Sequence, residues 1–465
     1  MMRRRIWLII VTVLVFAVGY LFWWLYRLPF VELAKELQAI KMAGEPTHYE
    51  EIVPPIPPSL NAASVYQQAF NALPKFSESE QRAFDDFRFG RSTDIRQVRS
   101  IIQRCQKVLE LAKQASQFPH VRWVNVVQPY PYATQFPHTS PLRSLIRLLE
   151  AEALLHVREG NLDKALENCI VLLKIVRHLD EEPYSLHVMH IKFILRTTIN
   201  IVKQICENKD ISPKWAHRLM GLLLDWDGDR TLIRMLQLER VIHIQSFDFL
   251  RSSPRDAREF SLIWSEGCVI YTGRNIAGWI QPLSRQLAIN ELIVLRFDQW
   301  LLKIARKGEP YEWGAFKKLD EFAQQVKTTG IAFRYPSWLR GFAFRPLAMA
   351  GEVMWPAGLR VERYLPETAY SFEQIAEVKT HQRLLQTALA LCLYRHEFDS
   401  YPKTLSELVP KFLPEVPKDP FDGKPLRYRC EGQGFKVWSV GSNLKDENGA
   451  PRKWLDGDIC LSIRF

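Results

Sequence analysis

PLRSLIRLLEAEALLHVREGNLDKALENCIVLLKIVRHL, residues 141–179, reads as two helices joined by a turn. Apolar residues recur every three or four positions on both sides of Gly160-Asn161, the period of one helix face. Gly160 breaks the run, and Asn161 or Asp163 opens the second helix. The small side chains of Ala151, Ala153 and Ala165 let the two helices approach closely. The same period runs from Leu60 to about Leu250; in IIQRCQKVLELAKQA, for example, Ile102, Cys105, Val108, Leu109 and Ala112 fall on one face. A mainly α body is therefore expected over 60–366.

The N-terminal stretch, MMRRRIWLIIVTVLVFAVGYLFWWLYRLPF, differs in kind. Arg3 to Arg5 precede an apolar run from Ile6 to Tyr26, and roughly twenty helical residues cross a hydrocarbon core of about 30 Å. The run exceeds a signal-peptide core, and no small-x-small cleavage pattern follows it. Residues 1–30 are thus expected to be a cytoplasmic tip and a retained anchor that meets membrane lipid through residues 6–26. The arginines put the N-terminus in the cytoplasm and the body outside it, in the inner or cytoplasmic membrane, with Trp23, Trp24 and Tyr26 at the far interface. Residues 31–59 then carry a juxtamembrane helix, ended by Gly44 and Pro46, and a spacer with prolines at 54, 55, 57 and 58. Such a spacer reads equally as a stiff stalk and as an ordinary loop between helices.

Composition narrows the function classes. The formal net charge of +11 suits acidic surroundings such as anionic headgroups, but the positive residues are scattered and no nucleic-acid motif accompanies them. Protein partners are expected, and nucleic acid is not. Seven cysteines are widely spaced and include no CxxC; most read as buried thiols, with Cys430 and Cys460 a candidate pair on strands that could be neighbours. Between Arg251 and Glu367 the pattern is less regular, with helices expected over 290–305 and 311–328 and an aromatic, basic connection over 330–358.

The hairpin at 141–179 resembles a tetratricopeptide helix pair in its alanines and central glycine, over about one repeat. The C-terminal region, 367–465, reads as an α+β domain. A long helix through TAYSFEQIAEVKTHQRLLQTALALCLYRHEF ends before Tyr401-Pro402, and TLSELVPKFL forms a short helix whose Thr404 and Glu407 make a capping box. Three strands follow, Leu426 to Cys430, Phe435 to Val440 and Asp458 to Ile463, joined by EGQG and by an acidic loop, so that an antiparallel meander packs one face on the long helix.

That order resembles the globular domain of the major pseudopilin of type II secretion systems. The matching residues are Leu393-Tyr394, Tyr401-Pro402, Asp419-Pro420, Leu426-Arg427-Tyr428 and Val437-Trp438-Ser439-Val440-Gly441, about one fifth of the chain. The resemblance implies calcium in the acidic loop, where Asp446, Asn448, Asp456 and Asp458 supply oxygen ligands. It also implies a link to secretion or pilus-like systems. Pseudopilins, however, carry their apolar helix directly before this domain with a prepilin-peptidase site; here the apolar helix is at the far end of the chain and has none.

Other candidate chemistry is sparse. DWDGD, Asp225 to Asp229, lacks the glycine and glutamate of an EF-hand, with Arg230 and Leu236 in their places, and reads as a turn between helices. His187 and His190 are three apart but lack a third metal ligand. Ser439 in SVGS lacks the glycines of a nucleophile elbow, and GQG at 432–434 reads as a hairpin turn. The sequence therefore favours a single-pass envelope protein with a non-enzymatic scaffolding role. Two alternatives stay open: an envelope hydrolase whose site is assembled from distant residues such as His120, His138 and His187 beside a carboxylate, and a secretion-fibre component.

Overall fold

The computed structural model describes residues 2–91, 95–123, 136–207, 210–252, 283–314, 316, 361–450 and 457–463. They are mainly helical, with one three-stranded antiparallel sheet. The longer helices are α1 (Met2–Met42), α2 (Ala63–Asn71), α3 (Glu78–Arg88), α4 (Arg96–Arg104), α5 (Gln106–Ala115), α6 (Thr139–Arg158) and α7 (Leu162–Asp180). After them come α8 (Ser185–Cys206), α9 (Pro213–Leu224), α10 (Gly228–Ser252), α11 (Leu283–Lys307) and α12 (Val361–Phe398). The strands are β1 (Arg427–Glu431), β2 (Gly434–Ser439) and β3 (Ile459–Ile463).

The hairpin at 141–179 forms as its sequence requires. Gly160 takes the left-handed conformation, φ +76°, which a side chain would strain, and so ends α6 and lets α7 fold back against it. Helix α8 then packs on both. The face expected over 101–115 is buried throughout, but the segment is two helices, because the backbone departs from helical geometry at Cys105 between α4 and α5. DWDGD is the expected turn: Asp227 Oδ1 accepts from the backbone N–H groups of Asp229 (3.0 Å) and Arg230 (3.2 Å) and caps α10.

Helix α1 is a single element of two characters. From Trp7 to Tyr26 it presents a row of exposed large apolar residues, and it is the one helix among the described residues long and apolar enough to cross a membrane. Beyond that row, Phe30, Leu33, Leu37 and Ile40, at helical spacing, pack against Ile244 of α10 and against Ala288, Leu292 and Leu295 of α11. Ion pairs flank this seam: Arg296 reaches Glu32 (3.3 Å) and Glu36 (3.5 Å), while Glu45, just past the helix, meets Arg240 (2.9 Å) and Arg306.

The proline-rich spacer is anchored to the body at its start. Val53 is buried, the Pro54 carbonyl accepts from Arg122 Nη2 (2.6 Å), and the Ile52 carbonyl accepts from Arg234 Nη2 (3.3 Å). Polyproline geometry leaves backbone carbonyls unpaired; here Arg122 satisfies that of Pro54, and those of Pro57 and Pro58 accept from the backbone of Leu60 and Asn61.

The C-terminal order is as expected. Thr404 N–H donates to the Glu407 carboxylate (2.9 Å) at a short 3₁₀ turn, Leu405–Leu408, and the sheet runs β1-β2-β3. Central β2 is buried along its whole length and, with β3, lies against α12, while β3 also meets α8. One continuous hydrophobic core joins the helical hairpins to this sheet, running from Ala62 to Ile463. The sheet order corrects the candidate Cys430–Cys460 pairing. Cys430 on β1 faces Phe435 and Cys460 on β3 faces Trp438, both on β2, so a strand separates them and their registers are offset. Adjacent strands alone are about 4.8 Å apart, which takes this pair beyond the reach of a disulfide. The expected helix over 311–328 and the connection over 330–358 lie outside the described residues, apart from 311–314 and 316.

Candidate functional site

The acidic loop after β2 is built around Trp438 and Lys436. The Trp438 indole N–H donates to Asp446 Oδ1 (2.9 Å), which also accepts from the backbone of Asn448 (2.9 Å). Lys436 Nζ donates to the Gly449 carbonyl (3.0 Å), and Gly449 N–H donates to Asp458 Oδ2 (2.7 Å). Asn448 and Gly449 both take positive φ, +58° and +72°, which bends the loop back over the sheet. Three of the four sequence candidates, Asp446, Asn448 and Asp458, therefore share one loop; Asp456 lies outside the described residues.

The ligand capacity of this loop is uneven. Asp446 is half engaged, with its other oxygen 3.7 Å from Arg427 Nε. Asp458 is buried, and its Oδ1 has no hydrogen-bond partner among the described residues. Burial raises the Asp458 pKa, and the neighbouring Glu447 and Asp446 charges add to that against the backbone donors of Gly449 and Glu447. One buried carboxylate oxygen thus stays open in the loop, while among the described residues no three acidic or histidine side chains come together there as metal ligands.

Two of the three histidines named for the hydrolase alternative, His138 and His187, meet each other, and His120 meets a carboxylate. The segment 118–123 runs alongside the end of α7, where His120 Nδ1 lies 3.0 Å from Glu181 Oε1 and Trp123 stacks on His138 with 4.8 Å between ring centres. His187 Nδ1–H donates to the Glu182 carbonyl (2.6 Å), so its Nε2 accepts from His138 Nε2–H at 2.9 Å. His138 Nδ1 is left as a buried lone pair with no partner among the described residues. The Glu182 carboxylate accepts from Trp123 N–H (2.9 Å) and lies 3.7 Å from Arg122. Among the described residues, no serine, threonine or cysteine is hydrogen-bonded to His138 or His187, and no group of three metal-ligating side chains forms. The pair seen three apart in sequence, His187 and His190, separates: both His190 nitrogens face carbonyls, of Leu186 (2.8 Å) and Thr139 (3.1 Å).

These histidines instead set the pH response. Burial lowers His138 to about 4, His178 to about 4, His381 to about 4 and His187 to about 3, the last also depressed by His138. As the pH falls below about 6.5, the unfolded chain takes up protons that these folded rings refuse until pH 3–4, so stability is present above 6.5 and lost on acidification. His243 opposes this: burial lowers its pKa, but the Asp298 carboxylate at 2.8 Å outweighs burial and raises it, so its contribution is lost as the pH rises. With His156, which burial also lowers, five depressed rings outweigh one raised ring. The stability of the full chain in detergent, followed by chemical denaturation, should fall by several kcal/mol between pH 7 and 5, at about 1.4 kcal/mol per histidine per pH unit. His178→Gln should flatten part of the slope, and no slope in the parent would contradict the assignment.

Two further arrangements bring together residues that the sequence did not link to one another. Asp419, fully buried, accepts from Phe421 N–H (3.0 Å), Ser439 Oγ–H (2.8 Å), Val440 N–H (2.9 Å) and Arg427 Nη1 (2.8 Å), tying the turn before β1 to the end of β2. Cys206 and Cys392 meet between α8 and α12, their sulfurs 3.3 Å apart. No family model, no curated protein and no solved structure matches the chain.

Proposed function

We propose that the chain is a single-pass, membrane-anchored envelope protein with a non-enzymatic, partner-binding role, its body outside the cytoplasm. The observation that carries this reading is α1, whose exposed apolar row is continuous with a helical seam braced to the body by Glu32, Glu36 and Glu45. An apolar row left uncovered on so long a helix calls for an apolar surrounding, and lipid supplies it. A helix that runs unbroken from that row into a packed core holds the body at a fixed attitude close to the surface.

The C-terminal helix, short turn and three-stranded meander support the pseudopilin-like reading, and with it a link to type II secretion or pilus-like systems. The fibre alternative is disfavoured by chain order: α1 packs on α10 and α11 and does not lead directly into the C-terminal domain as a pseudopilin's apolar helix does. The hydrolase alternative is disfavoured by the His138–His187 pair, which is directed at itself.

Crosslinking in cells, followed by capture of the full chain from a detergent-solubilised envelope, tests the role. Recovery of secretion or pilus-assembly proteins is the expected result. Unrelated envelope proteins would remove the secretion link, and no protein partner would remove the scaffolding role.

Calcium belongs to the same proposal, held by Asp446, Asn448, Asp456 and Asp458. Calorimetry on the full chain should show binding at about 10⁻⁴–10⁻³ M, the range of extracellular modules, and Asp458→Asn should abolish it. An absence of heat at millimolar calcium would reject the site.

A further inference from the structure

We propose that Cys206 and Cys392 are joined as a disulfide in the mature protein, fastening the C-terminal helix α12 to the body at α8. The inference rests on the extracytoplasmic placement of the body, because disulfides persist in oxidising compartments and not in the cytoplasm.

The geometry selects this pair from the others. The two sulfurs are 3.3 Å apart in a buried contact, whereas Cys105 and Cys169 are buried without a sulfur neighbour among the described residues. Cys430 is exposed and Cys460 half-buried, with β2 between them. Closing the Cys206–Cys392 contact to a bond of about 2.05 Å asks little over 1 Å of two helices already packed side by side. The bond would join residues 186 apart in sequence and cross the junction between the helical hairpins and the sheet.

The chemistry balances as thiol–disulfide exchange with the disulfide of a thiol oxidoreductase in the same compartment. The Cys206 thiolate attacks one oxidant sulfur, and the other oxidant sulfur leaves as a thiolate, which gives a mixed disulfide. The Cys392 thiolate then attacks the Cys206 sulfur, forming the Cys206–Cys392 bond and releasing, as a thiolate, the oxidant sulfur that Cys206 had attacked. Two cysteine thiols lose two electrons and two protons, and the oxidant disulfide becomes a dithiol. In the folded chain the Cys206 thiol is held well above its usual pKa by its contact with Cys392 and by burial, so the exchange belongs to folding, before α12 closes over α8. Once closed, the bond is shielded from reductant.

The exposed Cys430 makes the test self-reporting. Intact cells carrying the full chain are treated with a membrane-impermeant maleimide, denatured with a second, distinguishable maleimide, and digested without reductant for mass mapping. The expected result is the impermeant label on Cys430 and a joined peptide containing Cys206 and Cys392, which disappears in Cys206→Ser and in Cys392→Ser. Cys430 labelled from outside with both Cys206 and Cys392 carrying the second maleimide would overturn the disulfide and leave the orientation standing. Cys430 protected in intact cells and labelled only after lysis, with the pair reduced, would overturn orientation and disulfide together.

Discussion

Asp419→Ala should unfold the C-terminal sheet while the helical hairpins persist. The carboxylate is fully buried and receives two backbone N–H groups, one hydroxyl and one guanidinium, so its removal takes one acceptor from all four at once. Breaking one side of a buried ion pair costs about 3–5 kcal/mol, and the lost backbone acceptors add to that. Arg427 keeps Asp422 as a partner, but Val440 and Phe421 N–H have no other acceptor within the turn. Asp419→Asn, which retains one oxygen, should cost less. Hydrogen exchange on the full chain would report it: β1, β2 and β3 should lose protection while α6 and α7 keep theirs. Unchanged protection in the strands would refute the assigned role.

Glu45→Ala should loosen the attachment of α1 to the body. Burial opposes ionisation of Glu45, but hydrogen bonds from Gln237 and Arg240 and the charges of Arg240 and Arg306 outweigh it and hold its pKa low. Arg240 is wholly buried, and without Glu45 its remaining partner is the Pro46 carbonyl at 3.3 Å. A buried guanidinium without its counter-ion costs about 3–5 kcal/mol. Proteolysis of the full chain in detergent should then cut within residues 43–48, and Glu45→Gln, neutral but able to hydrogen-bond, should give an intermediate rate. Equal rates in all three proteins would show that the brace contributes nothing.

Local patterns in the sequence carried much of the architecture, because they act over a few residues. Gly160 had to be a stop, the 3.6-residue period had to be helix, and alternating residues around GQG had to be a hairpin. The proline run at 54–58 was legible as extended backbone but not as docked at its start, since what receives the Pro54 carbonyl is Arg122, far along the chain. The break at Cys105 is a packing decision that periodicity does not record. The same limit hid the sites. Asp419 reads as a turn residue, and its partners Arg427, Ser439 and Val440 become neighbours only when the meander closes. Cys206 and Cys392 are unremarkable until α12 lies on α8, and His138 meets His187 only through the packing of α6 against α8.

In the proposed placement α1 crosses the membrane once and holds the body on the outer side. Protease digestion of right-side-out and inverted vesicles bearing the full chain, with a carbonate wash of each, tests it most directly. The account predicts that the chain resists carbonate, that protease removes the body from right-side-out vesicles, and that inverted vesicles protect it. A chain washed off by carbonate, or a body digested only from the inverted face, would contradict it.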